Sequence, residues 1–145
     1  LTPWSDIQKT YSKIIAPKSF YERRMLLLEL DVIIAIAAGL KLSELLEIYE
    51  VQFAVEQQNE QETYYDRDGS IIFTNNKSLS SIGLDRIDWE RVKNNKEGDD
   101  ITHTISKSEL YKGKQITYYP PFTKCDRVED YKRAWAHFEE RFKEK

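Results

Sequence analysis

Cysteine occurs once in the 145 residues, at Cys125, so the chain forms no internal disulfide; a single thiol fits a reducing, cytoplasmic setting. Histidine occurs twice, at His103 and His137, and neither C-x-x-C nor H-x-x-x-H spacing is present, which removes the usual metal-site patterns. The five glycines form no G-x-G-x-x-G, G-x-x-x-x-G-K or G-x-S-x-G, so neither a phosphate-cradling loop nor a nucleophile elbow is expected. No signal peptide is recognisable, and no apolar run is long enough to span a bilayer, so no membrane is expected as a partner. With a net charge of −3 the chain as a whole is not a basic nucleic-acid binder.

What is present is organised around residues 26–38, LLLELDVIIAIAA, in which eleven of thirteen residues are apolar and only Glu29 and Asp31 interrupt. Ser19 and Glu22 read as a capping box and Gly39 as a left-handed cap, which predicts a helix of about 19 residues from Phe20. A helix apolar on nearly all sides and too short for a bilayer is expected to be buried at the centre of a core. Before it, Thr2 and Pro3 start a first helix with Trp4, Ile7, Tyr11 and Ile14 on one face. After it, Ser43 is expected to cap a third helix carrying Leu45, Leu46, Ile48, Tyr49 and Phe53.

The composition shifts near Glu56, where EQQNEQE reads as a helix end or an exposed connection. Tyr64-Tyr65 and Ile71-Ile72-Phe73 flank Asp66-Arg67-Asp68-Gly69, a strong hairpin signal. A second hairpin is expected around Lys112-Gly113-Lys114, between Tyr111 and Gln115 to Tyr119, with a further strand over 101–106. Residues 87–92 are ambiguous. Asp126 and Glu129 box the start of a last helix whose Val128, Tyr131, Trp135, Phe138 and Phe142 form an aromatic stripe. The expected fold is α+β: N-terminal helices with a central buried helix, two β-hairpins and a C-terminal amphipathic helix. It is one domain, with a helical part over 1–56, a hairpin part over 57–125 and the last helix over 126–145. The chain opens on Leu1 rather than Met, which points to a C-terminal piece of a longer protein.

Charge is unevenly spread. Residues 9–24 hold five bases against Glu22, and residues 44–68 hold eight acids against Arg67. Lys107, Lys112, Lys114 and Lys124 interleave with Tyr111, Tyr118, Tyr119 and Phe122, a pattern that can hold phosphate and stack on bases, and that a solvated hairpin explains as well. Asn75, Asn76 and Lys77 can read adenine edges or make an ordinary polar turn. Candidate DNA contacts are therefore Asn75, Asn76, Lys77, Lys112 and Lys114. Glu29 and Asp31 lie about 200° apart on a helix and cannot form a dyad, so Asp31 reads as a structural acid bonded to backbone or to an arginine. Cys125 precedes a helix start, which would lower its pKa, but no oriented histidine is evident. Asp85, Asp88, Glu90 and Lys93 form a nuclease-like but nonspecific set. No catalytic, cofactor-binding or metal residue is assigned.

Four phrases resemble the C-terminal region of large bacterial S-adenosylmethionine-dependent DNA methyltransferases of restriction-modification and phage-defence systems. They are Glu29-Leu30-Asp31 through Ile33-Ile34-Ala35 to Gly39-Leu40, Ser43 and Glu44; Ile48-Tyr49-Glu50-Val51-Gln52-Phe53; Phe73-Thr74-Asn75-Asn76-Lys77; and Pro121-Phe122 through Asp126-Arg127 to Tyr131, Ala134, Trp135, His137, Phe138 and Glu139. Tyr119-Pro120-Pro121-Phe122 looks like the Pro-Pro-aromatic catalytic tetrapeptide of such enzymes, but they begin it with Asn, Asp or Ser, and Tyr cannot take that role; it reads as a rigid strand exit. The resemblance implies a non-catalytic accessory domain that packs on the remainder of a parent polypeptide, with DNA as a candidate contact. S-adenosylmethionine would be bound by the parent, with no cofactor in this chain. The alternative is a stand-alone protein-protein adaptor using the aromatic stripe and the acidic 44–68 region.

Overall fold

A computed structural model of the chain describes residues 16–79 and 81–143. The first helix expected around Trp4, Ile7 and Tyr11 lies outside them. The described elements run α1 (Phe20–Ala37), α2 (Leu42–Gln52), α3 (Ala54–Gln61), β1 (Tyr64–Tyr65), β2 (Ile71–Phe73), a 3₁₀ turn (Lys77–Leu79), α4 (Arg86–Val92), β3 (Ile101–Thr104), β4 (Gln115–Tyr118) and α5 (Arg127–Lys143). The fold is α+β.

α1 starts where its cap places it. Ser19 Oγ accepts from Glu22 N at 3.1 Å, and the Glu22 carboxylate accepts from Lys18 N at 2.6 Å. It ends in a Schellman pair, Gly39 N to Ile36 O and Leu40 N to Ala35 O, both 3.0 Å, with Gly39 at φ +77. The helix is central but buried along one stripe only, by Arg24, Leu28, Val32 and Ala35. Its opposite side keeps Leu26, Leu27, Leu30 and Ile34 between 37% and 64% exposed. The expectation of a helix buried all round is corrected accordingly: among the described residues, α2 and α5 cover only one side of it.

Lys41, not Ser43, precedes the first turn of α2, and Glu44 reaches back to accept from Lys41 N at 2.7 Å. The polar run after Phe53 is helix, α3, with no buried residue, so the helical part extends to Gln61. α5 lays Tyr131, Ala134, Trp135 and Phe138 against α1 and α2, while the two ends of its stripe, Val128 and Phe142, stay largely exposed. Asp126 caps it, accepting from Glu129 N at 3.2 Å.

The second core lies under the hairpins. β1 and β2 pair antiparallel around Asp66 and Gly69, and β3 pairs with β4 from Ile101↔Tyr118 to Thr104↔Gln115. The partner of β4 is thus 101–104 rather than the stretch at Tyr111, because Ile105 N to Lys114 O and Gly113 N to Ile105 O continue the ladder past the strands. Tyr111 to Lys114 is a turn inside that longer connection, closed by Lys114 N to Tyr111 O at 3.0 Å. Residues 87–92, ambiguous by pattern, belong to the helix Arg86–Val92, capped by Asp85, which accepts from Asp88 N. Its Trp89 is 4% exposed and meets the rings of Tyr64, Phe73 and Phe122 at 4.7, 5.5 and 5.6 Å. Gly83 is required here, since a Cβ would fall 2.4 Å from the Ile72 carbonyl oxygen.

Candidate functional site

Two arginines meet one carboxylate where α1, α3 and α5 converge. Arg24 Nε donates to Glu60 at 3.0 Å and its Nη1 to Asp130 at 2.7 Å; Arg127 donates to both Glu60 oxygens at 2.6 and 3.0 Å. Arg24 and Glu60 side chains are 7% and 19% exposed. Burial alone would raise the Glu60 carboxyl, but hydrogen bonds from Arg127 and Arg24 outweigh it and hold it below its ordinary value. Burial likewise works against the charge on each arginine, and their bonds to Glu60 leave both above the ordinary arginine value. The Arg127 guanidinium also lies 5.6 and 5.5 Å from the ring centres of Tyr49 and Tyr131. Burial, then the negative charge of Glu60, push the Tyr49 hydroxyl up to about 12.

Asp31 belongs to the rim of this cluster. It accepts from the Tyr131 hydroxyl at 2.8 Å and lies 3.5 Å from Arg127, with 47% of its side chain exposed. The expected arginine is thus present, but the acid is not buried. Above the cluster a groove of about 370 Å3 opens between α1 and α2. Ile34, Ala38, Leu45, Ile48 and Phe53 make its apolar walls, and Asp31 and Glu56 stand among its lining. Sequence reading named most of these residues separately; nothing in their spacing showed that a helix end, a helix start and the α2–α3 corner enclose one space.

The DNA-contact candidates fall on two different elements. Asn76 Oδ1 accepts from both Ser78 N and Ser78 Oγ, at 3.0 and 2.7 Å, capping the 3₁₀ turn. That occupies the oxygen a paired adenine contact would need. Asn75 and Lys77 are exposed beside it. Lys112 and Lys114 are exposed on the β3–β4 connection, with the Lys114 ammonium 4.9 Å from the Tyr111 ring centre, and neither is in an ion pair among the described residues. They sit at a turn where the connection rejoins the ladder, not at the tip of a tight hairpin.

The remaining candidates are absorbed locally. Burial pushes the Cys125 thiol up, against the opposing charge of Arg24, contrary to the lowering expected of a helix start. Asp88 pairs with Arg91 on its own helix and Glu90 with Lys93 just past its end, at 3.4 and 2.5 Å. Asp85 and Asp88 do share a cleft of about 90 Å3 with His103 and Lys107, a neighbourhood the sequence does not reveal. In Tyr119-Pro120-Pro121-Phe122, Pro120 is fully buried and Tyr119 N donates to Asp66 at 3.0 Å, which fits the structural reading of that tetrapeptide. Among the described residues no helix is long and apolar enough to cross a membrane. Compared with known proteins, the chain matches no family model, and no curated protein and no solved structure is significantly similar to it.

Proposed function

We propose that the chain is a non-catalytic accessory domain of a restriction-modification or defence DNA methyltransferase, docking on the catalytic or recognition parts of its parent polypeptide. The observation that carries the docking is the outer side of α1. Leu26, Leu27 and Leu30 are 37%, 50% and 42% exposed on one continuous helix. Contiguous half-exposed aliphatics of this kind mark surfaces that another polypeptide covers. The methyltransferase assignment itself rests on the sequence resemblance. Parent catalysis, with S-adenosylmethionine as cofactor, would belong to residues outside this chain.

The test is co-purification of the chain with the polypeptide encoded immediately upstream of Leu1. Wild type is expected to co-purify, and the Leu26→Asp/Leu30→Asp variant is expected to lose the partner while keeping its circular dichroism. Absence of a methyltransferase cofactor motif in the upstream polypeptide would rule the reading out. The chain alone is expected not to bind S-adenosylmethionine, and micromolar binding in calorimetry would count against it. A stand-alone adaptor is favoured instead if a start codon directly precedes Leu1.

A further inference from the structure

We infer that the β3–β4 ribbon is a contact for double-stranded DNA, entering the major groove by the end that carries the connecting arm, with Thr104 and Gln115 at base edges and Lys112 and Lys114 on phosphate. This surface lies in the hairpin half and rests neither on the outer side of α1 nor on the methyltransferase resemblance. Three features select that occupant.

The first is the difference between the ribbon's two faces. The register sets Thr102 opposite Thr117 and Thr104 opposite Gln115 on one face, and Ile101 opposite Tyr118 and His103 opposite Ile116 on the other. The second face is already used: Ile101, Ile116 and Tyr118 pack in the hairpin core, and His103 lines the cleft with Asp85 and Asp88. On the first face Thr102, Thr104 and Gln115 are exposed and Thr117 is half-buried. All four carry an uncharged hydroxyl or amide. Thr102 and Thr117 bond to each other at 3.2 Å, which leaves the Thr104 hydroxyl and the Gln115 amide for a ligand. A hydroxyl serves phosphate or any base edge, and a Gln amide pairs with both adenine groups in the major groove.

The second feature is charge. From Ile101 to Cys125 the sequence has one acid, Glu109, against four lysines, in a chain with 25 acids. Lys107 lines the cleft that holds Asp85 and Asp88, so its charge is offset there. Lys112 and Lys114 are exposed, and among the described residues the lysines in ion pairs are Lys93, Lys132 and Lys143. The arm that carries them is closed at its base by Ile105 N to Lys114 O at 2.9 Å and Gly113 N to Ile105 O at 2.8 Å, so both lysines are fixed to the end of the ladder. They need not share the polar face, because phosphates flank a groove on both sides and a lysine stem is long and flexible. Asp99 and Asp100, exposed just before β3, mark the opposite end as the one turned away from DNA.

The third feature is shape. A two-stranded ribbon fits the major groove of B-DNA, about 12 Å wide. The deep, narrow major groove of A-form RNA excludes it. The polar face has no aromatic ring on which the bases of a single strand could stack, and the arm's Tyr111 ring is met by the Lys114 ammonium.

The experiment uses the full chain and a fluorescein-labelled 20-base-pair DNA duplex of mixed sequence, titrated by anisotropy at several salt concentrations. Two phosphate contacts should give a log–log salt slope of about −2, and Lys112→Gln/Lys114→Gln should bring it near zero. Thr104→Val/Gln115→Ala should weaken binding by ~5-fold or more at the lowest salt while keeping the wild-type slope, the mark of lost groove contacts rather than lost phosphate contacts. Both variants change exposed side chains and should keep wild-type thermal unfolding. The same sequence as duplex RNA or as single-stranded DNA should bind at least ~5-fold more weakly. No binding by wild type, a slope untouched by the lysine variant, or Thr104→Val/Gln115→Ala binding as wild type does would overturn the inference. So would equal binding of the RNA or the single strand, or displacement of the duplex by an equal charge concentration of polyglutamate, which would make an acidic polypeptide the partner.

Discussion

The core between α1, α2 and α5 is assembled from Leu28, Val32, Leu45, Trp135 and Phe138 and is closed at one end by two arginines sharing Glu60; the core under the hairpins is assembled around the single indole of Trp89, with the buried Asp66 accepting from Tyr119 N at its edge and the Arg86 guanidinium 5.2 Å from the Phe73 ring centre. The first depends on continuous helix faces and on a carboxylate that keeps its charge although mostly buried. The second depends on rings brought together from four separate stretches of chain, at Tyr64, Phe73, Trp89 and Phe122. The two also join differently to the rest. Gly69, at the β1–β2 turn, accepts from Tyr21 N at 3.0 Å, and the Tyr21 and Tyr65 rings meet edge to face at 5.8 Å, so the hairpin is fastened to the start of α1. The lesson is that the helical half is exposed to loss of one charge, and the hairpin half to loss of one ring.

The largest effects should come from removing those centres. Trp89→Ala and Trp135→Ala each delete a buried aromatic and should cost about 3–5 kcal/mol. Chemical denaturation followed by far-ultraviolet circular dichroism checks the size, and amide exchange shows whether the loss is shared. If the hairpin half is an independent unit, Trp89→Ala should speed exchange in β1 to β4 and spare α1 and α5. Uniform acceleration would show that the two cores unfold together. Glu60→Gln should cost about 3–5 kcal/mol as well, because removing one partner of a buried pair strands the others, here Arg24 and Arg127. A loss below ~1 kcal/mol would show that water already screens the cluster.

The same comparison can be sharpened by pH. Glu60 has a folded pKa below its ordinary 4.5, so the unfolded chain binds the proton first. Its stabilisation is complete above that value and is lost as pH falls through the lower folded one. The burial of Tyr49 and Tyr65 beside the cluster, and of Tyr118 in the hairpin core, raises all three to about 12 from 10.0. That contribution is complete below pH 10 and is lost as pH rises toward 12. Acid should therefore destabilise the helical half first, and alkali both halves. Glu60→Gln should flatten the acid limb of a midpoint-against-pH curve and shift the part of the alkaline limb due to Tyr49 and Tyr65, whose values the Glu60 charge helps to raise, while leaving the Tyr118 part as in wild type.

A smaller effect is expected where the two halves touch. Gly69 has φ +84, and a Cβ there would lie 2.6 Å from Ser19 Oγ and 2.9 Å from Tyr21 Cβ. Gly69→Ala should cost about 1–2 kcal/mol for the left-handed backbone, plus whatever displacement of α1's first turn relieves the contact. Loss of the Ser19 cap signature in amide exchange at Glu22 would locate that displacement.

Much of the helical half was legible because its burial is periodic. The Ser19 cap, the Gly39 stop and the α5 stripe each follow from local spacing. The extent of burial of α1 was not legible, since an all-apolar helix looks the same whether its second side is covered by this chain or by another. The hairpin half was only half legible. Asp66 and Gly69 signal their own turn, but the β3–β4 ladder depends on a ten-residue connection whose internal Lys112-Gly113-Lys114 turn imitates a hairpin of its own. The Glu60 cluster escaped entirely: one glutamate in a polar run gives no sign that arginines 36 and 67 residues away converge on it.

The smallest effect on stability, and the sharpest on function, should come from the β3–β4 connection. Lys112 and Lys114 are exposed and in no ion pair among the described residues, so Lys112→Glu/Lys114→Glu should change stability by about 0.5 kcal/mol or less. If this turn touches DNA, its contact is with phosphate, which attracts without regard to sequence and weakens steeply with salt. The chain's net charge of −3 and its acidic α2–α3 surface oppose approach from other directions, so two lysines must supply most of the attraction. Affinity should then be weak, in the range of about 10⁻⁴ to 10⁻⁶ M for nonspecific duplex binding. A low-salt titration of labelled duplex should show binding by wild type and none by the double variant, with unchanged circular dichroism in both. Equal binding by the two, or no binding by wild type at low salt, would remove DNA from the candidate partners of this turn.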